Sequence, residues 1–264
     1  MGEHHSPEEL KDRHMYQFFV EEEQVFPGED GAAERIRITG TDVNHIRNVL
    51  RMRGGERVRI SAPSGVSYFC HLDEITEDYV TAVIDEADEK GTELSNQISL
   101  FQGLPKSDKM ELIIQKATEL GVAEVIPVAM KNCVVRLDEK KAENKRKRWQ
   151  TIAESAAKQS KRTIIPEITL PCSWKEALKK AGELDIVLVP YENERGMAAT
   201  REVIRSIKPG QSIGIFIGPE GGFAEDEIME LPDEMHKISL GRRILRTETA
   251  GLAALAMLVY ELDE

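Results

Sequence analysis

Three stretches of this sequence carry residue types that could do chemistry: Leu188-Val-Pro-Tyr191, Ile217-Gly-Pro-Glu-Gly-Gly222 and Leu240-Gly-Arg-Arg-Ile-Leu-Arg-Thr-Glu-Thr-Ala250. Each is placed at the end of a run of strand character, and in open α/β sheets ligands bind beyond the carboxyl ends of strands. Gly218, Gly221 and Gly222 allow close backbone approach to a bound molecule. Phosphate is a poor fit, because neither a G-x-G-x-x-G nor a Walker A spacing is present. The helix that follows opens with Glu225, Asp226 and Glu227, which suit its dipole but repel an anion. What remains is recognition of a neutral or cationic ligand through backbone groups. An ordinary tight turn accounts for a glycine-rich strand end as well. The third stretch is unusually polar for a loop, with Gly241 after a strand and Thr247 placed to open a helix of small residues.

The elements that must hold these stretches alternate in type. Strands are expected at 97–102, 124–128, 185–190, 212–217 and 236–240, and helices at 108–120, 139–159, 174–180, 195–206, 224–230 and 247–262. This is the pattern of an α/β domain with a mainly parallel sheet. Earlier in the chain, β-branched and aromatic residues bounded by turn formers predict short strands of a small barrel at 16–20, 35–38, 56–61, 66–72 and 79–84. One helix interrupts them, with Thr41 as N-cap and Val43, Ile46, Val49 and Leu50 on one face. The acidic, polar stretch Glu86 to Ser95 reads as a linker. The chain therefore divides into a disordered or non-native tail at 1–14, a first domain at 15–88, a linker at 89–96 and a second domain at 97–264.

At 264 residues and 41% hydrophobic, the chain has material for two cores. No run approaches the ~20 apolar residues of a membrane span, and the N-terminus is charged where a signal peptide is apolar, so a cytoplasmic protein with no membrane partner is expected. Cys70, Cys133 and Cys172 lack a C-x-x-C spacing and suggest buried free thiols, with neither a disulfide framework nor a metal site. A net charge of -12 argues against nucleic acid as a partner. Its distribution matters more. Arg35 to Arg59 and Lys140 to Arg162 are locally basic, while acids gather at 21–23, 73–93 and 225–234. Solvated helix faces would produce such runs too.

S-adenosylmethionine has a sulfonium cation, an adenine that bonds to backbone groups and no phosphate, so it is compatible with the glycine-rich stretch. The motifs His45-Ile-Arg-Asn-Val-Leu-Arg51, Gly103-Leu-Pro-Lys-Ser-Asp-Lys109, Ile114-Gln-Lys-Ala-Thr-Glu-Leu-Gly121, Ile217 to Gly222 and Leu240 to Ala250 occur in this order. Together they resemble the SPOUT superfamily, and within it the ribosomal RNA small subunit methyltransferase E family, which methylates N3 of a uridine in 16S ribosomal RNA. The likeness runs from residue 15 to residue 262. It implies a PUA-like β-barrel followed by a trefoil-knotted α/β domain, a homodimer, S-adenosylmethionine as cofactor, and 16S rRNA within the assembled 30S subunit as partner. Composition could not show a knot, since knots are rare exceptions to normal chain topology.

The resemblance also implies roles. Arg246 would orient the uracil or a phosphate and stabilise developing charge, with Glu220 and Glu248 as candidate proton acceptors; a capping role explains Glu248 equally well. Donor binding falls to Leu188, Val189, Pro190, Tyr191, Ile217, Gly218, Pro219, Glu220, Gly221, Leu240, Gly241, Ile244, Leu245, Arg246, Thr247 and Ala250. RNA contact falls to Arg47, Arg51, Arg53, Lys106, Lys109, Arg136, Lys145, Arg148, Lys161 and Arg162. Lys106 and Lys109 read equally well as part of a loop and helix start. Asn132 and Cys133 depart from the Arg-Ser common in the family, so a substrate-facing arginine is missing there and Arg136 is left to compensate. Three other functions stay open on residues alone: a different SPOUT methylation (ribose 2'-O or another base), a non-catalytic RNA-binding protein, and a nicotinamide dehydrogenase, the last disfavoured by the absent G-x-G-x-x-G.

Overall fold

The structure, a computed structural model, describes residues 15–28, 31–89 and 91–263. The tail expected at 1–14 lies outside the described residues. The chain forms two compact units, one running to Glu93 and including Lys161–Ile164, the other formed by Leu94–Ser160 and Ile165 onward. That four residues from deep in the second half belong to the first unit is a feature no local sequence pattern announces.

In the first unit, β1 (Tyr16–Phe19), β2 (Val25–Pro27), β3 (Ala33–Thr39), β4 (Arg57–Ser61), β5 (Ser67–Ile75) and β6 (Tyr79–Asp88) form one sheet in the order β1-β4-β5-β6-β3-β2. The β1–β4 pair is parallel and the others are antiparallel. Period-two alternation is clear in β3, where Ile36 and Ile38 are buried and Arg35 and Arg37 exposed. Phe18, Ile46, Ile60 and Leu72 complete the core with them. Strand β6 continues to Asp88, three residues into the stretch read as linker.

The helix expected after β3 differs from expectation. Gly40, at φ 75°, takes the N-cap position instead of Thr41; α1 (Thr41–Asn44) then widens into a π-helical turn, His45–Leu50, that ends at Arg51 with φ 55°. The wider turn shifts the residues after Ile46 around the axis. Val43 and Ile46 stay buried, but Val49 is 61% exposed.

The second unit contains β7 (Gln97–Gly103), α2 (Lys109–Glu119), β8 (Glu124–Ala129), α3 (Glu139–Ser160), β9 (Glu167–Ile168), β10 (Cys172–Ser173), α4 (Trp174–Ala181), β11 (Ile186–Pro190), α5 (Ala198–Ser206), β12 (Ser212–Ile217), α6 (Glu225–Met229), β13 (His236–Ile238) and α7 (Thr247–Leu262). Its seven strands run β10-β8-β7-β12-β11-β13, with β9 also on β8, and the pairings are parallel. Central strands of such a sheet are covered on both faces, which is why β7 and β12 are almost continuously buried. Phe101 and Phe216 stack across them at 4.4 Å. Helix α7 buries Thr247, Gly251, Ala254, Leu255 and Leu258. A methyl on Gly251 would make only ordinary van der Waals contact with Ile217, at 3.5 Å, so α7 packs against β12 at normal separation there. The strands β2, β9 and β10, two or three residues each, are too short to print a period. Cys70 and Cys133 are buried as expected, and Cys172 is half-buried. Among the described residues no helix is long and apolar enough to cross a membrane.

Candidate active site

Strands β7, β12, β11 and β13 are neighbours and parallel, so the loops beyond their carboxyl ends meet at one edge of the sheet. The loop after β12, residues 218–224, is pinned from several directions. Gly103, ending β7, lets Pro219 come so close that a Cβ there would sit 2.7 Å from the Pro219 nitrogen. The Asn132 amide donates to the carbonyls of Gly221 and Gly222 at 3.1 and 3.2 Å. Behind the loop, the buried Glu227 carboxylate accepts from the Lys131 and Ala224 amides, both at 2.8 Å. The backbone of Gly222 turns at φ 68°, a conformation that favours glycine.

Beneath the loop lies a buried polar chain. Gln102, wholly buried in β7, donates to Thr247 Oγ1 at 2.9 Å, and that hydroxyl donates to the Gly218 carbonyl at 2.7 Å. The first residue of α7 is thereby tied to the first loop residue after β12.

Three charged side chains converge above. Lys109 Nζ lies 3.1 Å from Glu220 and 3.2 Å from Glu248, joining the start of α2, the loop after β12 and the start of α7. Burial pushes the Glu220 carboxyl up, but hydrogen bonds from its own amide, the Lys106 amide and the Lys109 ammonium outweigh it and hold the group below its ordinary value. Glu248 behaves alike: burial raises it, while its own amide, Lys109 and then Arg246 bring it below the usual range. Hydrogen bonds to Glu220 and then Glu248 raise Lys109. Both carboxylates are therefore anions and Lys109 a cation.

The loop leading into α7 is held differently. Its beginning is fixed by Thr200, whose hydroxyl donates to the Ser239 carbonyl and accepts from the Ser239 amide, both at 3.0 Å, and by Ser239 Oγ accepting from the Gly241 amide at 3.2 Å. Gly241 has φ 107°. The middle stands open: Ile244 is 86% exposed, and the Arg246 side chain 82%, its nearest approach to Glu248 being 4.0 Å. Among the described residues no intramolecular hydrogen bond engages the amides of Arg242 to Leu245. Leu188 and Val189 are buried in β11 and offer a ligand only their backbone, whereas Pro190 and Tyr191 lie at the strand end, with the Tyr191 amide bonded to Ile238.

Comparison with known proteins bears on this arrangement. An RNA methyltransferase domain model matches residues 92–259, and an RNA methyltransferase PUA domain model matches 38–85. A ribosomal RNA small subunit methyltransferase E from Bacillus subtilis is 38% identical over 235 residues, 88% of this chain and 92% of that protein. The chain belongs to that family. A member from Mesomycoplasma hyopneumoniae is 32% identical over 94% of this chain and 100% of its own length. The crystal structure of the Neisseria gonorrhoeae member bound to S-adenosyl methionine superposes with a TM-score of 0.76 at 29% identity, covering 94% of this chain and 98% of that one.

Within the family frame, the residues expected to meet RNA divide. In the first unit Arg51 and Arg53 are exposed and Arg47 pairs with Glu77 at 3.0 Å on the surface. Arg162 does not fit its expected role: it is 4% exposed and its guanidinium pairs with Glu93, which also accepts from the Thr163 and Ile164 amides at 2.8 and 3.1 Å. A buried guanidinium held in this way presents no surface to phosphate. Lys161 is half-buried, its ammonium donating to the Met15 carbonyl, and burial, then Arg59, holds it below the ordinary lysine value. In the second unit Lys106 is exposed, Lys145 is half-buried, Arg148 pairs with Glu111 at 2.8 Å, and Arg136 donates to the Met130 and Lys131 carbonyls. Lys109 faces the two carboxylates.

Sequence reasoning passed over Gln102, Gly103, Asn132, Thr200 and Ser239 as site residues. Gln102 has a visible signal, an amide that follows the apolar pair Leu100-Phe101 near the end of β7. Asn132 stands out in the sequence only for what it replaces; in the structure it holds the glycine loop, because the turn after β8 lies against residues 221–222.

Proposed function

We propose that this chain transfers a methyl group from S-adenosylmethionine to N3 of a uridine in 16S ribosomal RNA of the small subunit. The observation that carries the reading is the convergence, at one edge of a parallel sheet, of a pinned glycine loop, an open arginine loop and two carboxylates sharing one lysine. These residues fit the donor. Glu220, Glu248 and Lys109 together leave one negative charge, which suits a sulfonium; the amides of Arg242 to Leu245 have no intramolecular partner among the described residues; and Ile244 and Leu245 offer apolar contact to an adenine.

When bound, the donor supplies an electrophilic methyl on a positively charged sulfur. The chain must then place a uracil in line with it and take one proton from N3. Holding two reactants in near-attack geometry contributes several kcal/mol. Arg246 is free to swing over the base and stabilise the charge that develops on the uracil carbonyls as the proton leaves. The ionised carboxylates Glu220 and Glu248 are the proton acceptors within this cluster. Leu188 to Tyr191, Ile217 to Gly221 and Leu240 to Ala250 line the donor site.

Family likeness further supports a barrel closed from the first sheet, a trefoil knot around the loops after β12 and β13, and a homodimer through the exposed side of α7, where Tyr260 is 88% exposed. Residues 15–88 would grip RNA through Arg47, Arg51 and Arg53, and the enzyme would work on 30S subunits in the cytoplasm. Incubating the protein with labelled donor and either 30S subunits or free 16S rRNA, then mapping the product by mass, tests the donor, the RNA substrate and the acceptor atom. Label at uridine N3 is expected; label on a ribose or another base would replace the acceptor, and no label on either substrate would end the reading.

A further inference from the structure

We propose that Lys109 is a positioning residue for methyl transfer, a charged clasp that gathers Glu220 and Glu248 from two different loops into one anionic pair facing the donor. This rests on the methyl-transfer reading above, and it removes Lys109 from the residues that meet RNA phosphates. The geometry is specific. The ammonium lies 3.1 Å from Glu220 Oε1 and 3.2 Å from Glu248 Oε2, and Glu248 Oε2 is sealed from solvent with no hydrogen-bond donor of good geometry besides this ion-pair partner. Glu220 is held a second time by the Lys106 amide at 3.0 Å, so the loop at 104–108 and its lysine grip the same side chain. That loop turns at Ser107 with φ 55°, a strained conformation for a residue other than glycine, and the turn places Lys109 at the first position of α2.

A carboxylate that loses a neighbouring cation is harder to ionise, and two that depend on one cation lose its support together. Lys109 is that cation. With it present both groups are anions, and the pair plus the lysine carries one net negative charge. Among the described residues Arg246 is the other charged side chain that approaches the cluster, 4.0 Å from Glu248; Lys106 and Asp108 flank Lys109 in sequence, and Glu111, on the same helix, is engaged by Arg148.

Without the ammonium, Glu220 and Glu248 both move to higher pKa, so the pair protonates at a pH where the wild type stays ionised. A group held below its ordinary value acts as an anion until the pH falls through that lowered value; raising the value moves the loss of function upward in pH. The test compares wild type, Lys109→Met and Lys109→Arg from about pH 4 to 9 for S-adenosylmethionine binding by calorimetry, methyl incorporation, RNA affinity and melting temperature. Lys109→Met should lower turnover on the order of 10- to 100-fold. Its acid limb should shift to higher pH and its RNA affinity stay within about twofold, while Lys109→Arg restores most of the activity and the wild-type limb. If Lys109→Met melts below the assay temperature, Lys109→Gln carries the same comparison. An unmoved acid limb with turnover within about threefold of wild type overturns the clasp. So does a loss of RNA affinity of about tenfold with donor binding intact, which would mark a phosphate contact. Failure of the wild type itself to bind the donor would instead strike the proposed function, and the clasp with it.

Discussion

The two loops that flank the candidate site are built on opposite plans. Residues 218–224 are held by Gly103 against Pro219, by Asn132, by Lys106 and Lys109 through Glu220, and by Glu227 behind. Residues 241–246 are fixed only where they begin, at Ser239 and Thr200, and where they end, at Thr247; between these points Ile244 and Arg246 stand in solvent. One loop is a closely held wall and the other an exposed arm anchored at its two ends. The difference separates two tasks: recognition of a rigid small molecule gains from a surface that costs nothing to organise, whereas a base drawn from RNA needs a group that can close over it.

Substitutions can break this contrast. The largest effect is expected in the arm: Arg246→Ala should reduce methyl transfer to 30S subunits on the order of 100- to 1,000-fold, about 3–4 kcal/mol of transition-state stabilisation, with the melting temperature unchanged. Retained turnover would show that the arm is not catalytic. Next comes the wall. In Gly103→Ala the new Cβ meets the Pro219 nitrogen at 2.7 Å, backbone that cannot step aside, so stability should fall by about 1–3 kcal/mol in denaturant unfolding and donor affinity should fall with it. A variant with wild-type unfolding and affinity would mean that the wall is softer than its contacts suggest. Asn132→Ala removes two hydrogen bonds to the glycine loop and should weaken donor binding by about 1 kcal/mol, roughly fivefold, read by calorimetry. Smallest is Ile244→Ala, at an 86% exposed position: unfolding should stay within about 0.5 kcal/mol of wild type, and any loss should appear only in donor affinity. A destabilised Ile244→Ala protein would erase the distinction between wall and arm.

Much of the frame was legible before any coordinates. Strands β7, β8, β11 and β12 and helices α2, α3 and α7 lie within a few residues of where periodicity puts them, because each is long enough to show its period and is buried on the expected face. The glycine loop was legible because its composition is extreme. In the helix expected after β3 the core face fails at Val49 alone, since the π-helical turn 45–50 breaks the spacing on which it depends, while Leu50 still packs against the core. Arg162 was read as a surface cation because its charge is visible in the sequence and its partner, Glu93, lies 69 residues away.

By itself the sequence determined the strand-end positions of the three chemical stretches, the poor fit to phosphate and the motif order that marks the family, all properties of neighbouring residues. Tertiary structure alone decided which charges meet: that Lys109 faces Glu220 and Glu248, that Asn132 holds the glycine loop, and that Gln102 reaches Thr247. The reason is physical. Period and composition act over one or two turns of chain, whereas a parallel sheet brings together the ends of strands separated by a hundred residues or more, and only their order in the sheet says which loops become neighbours.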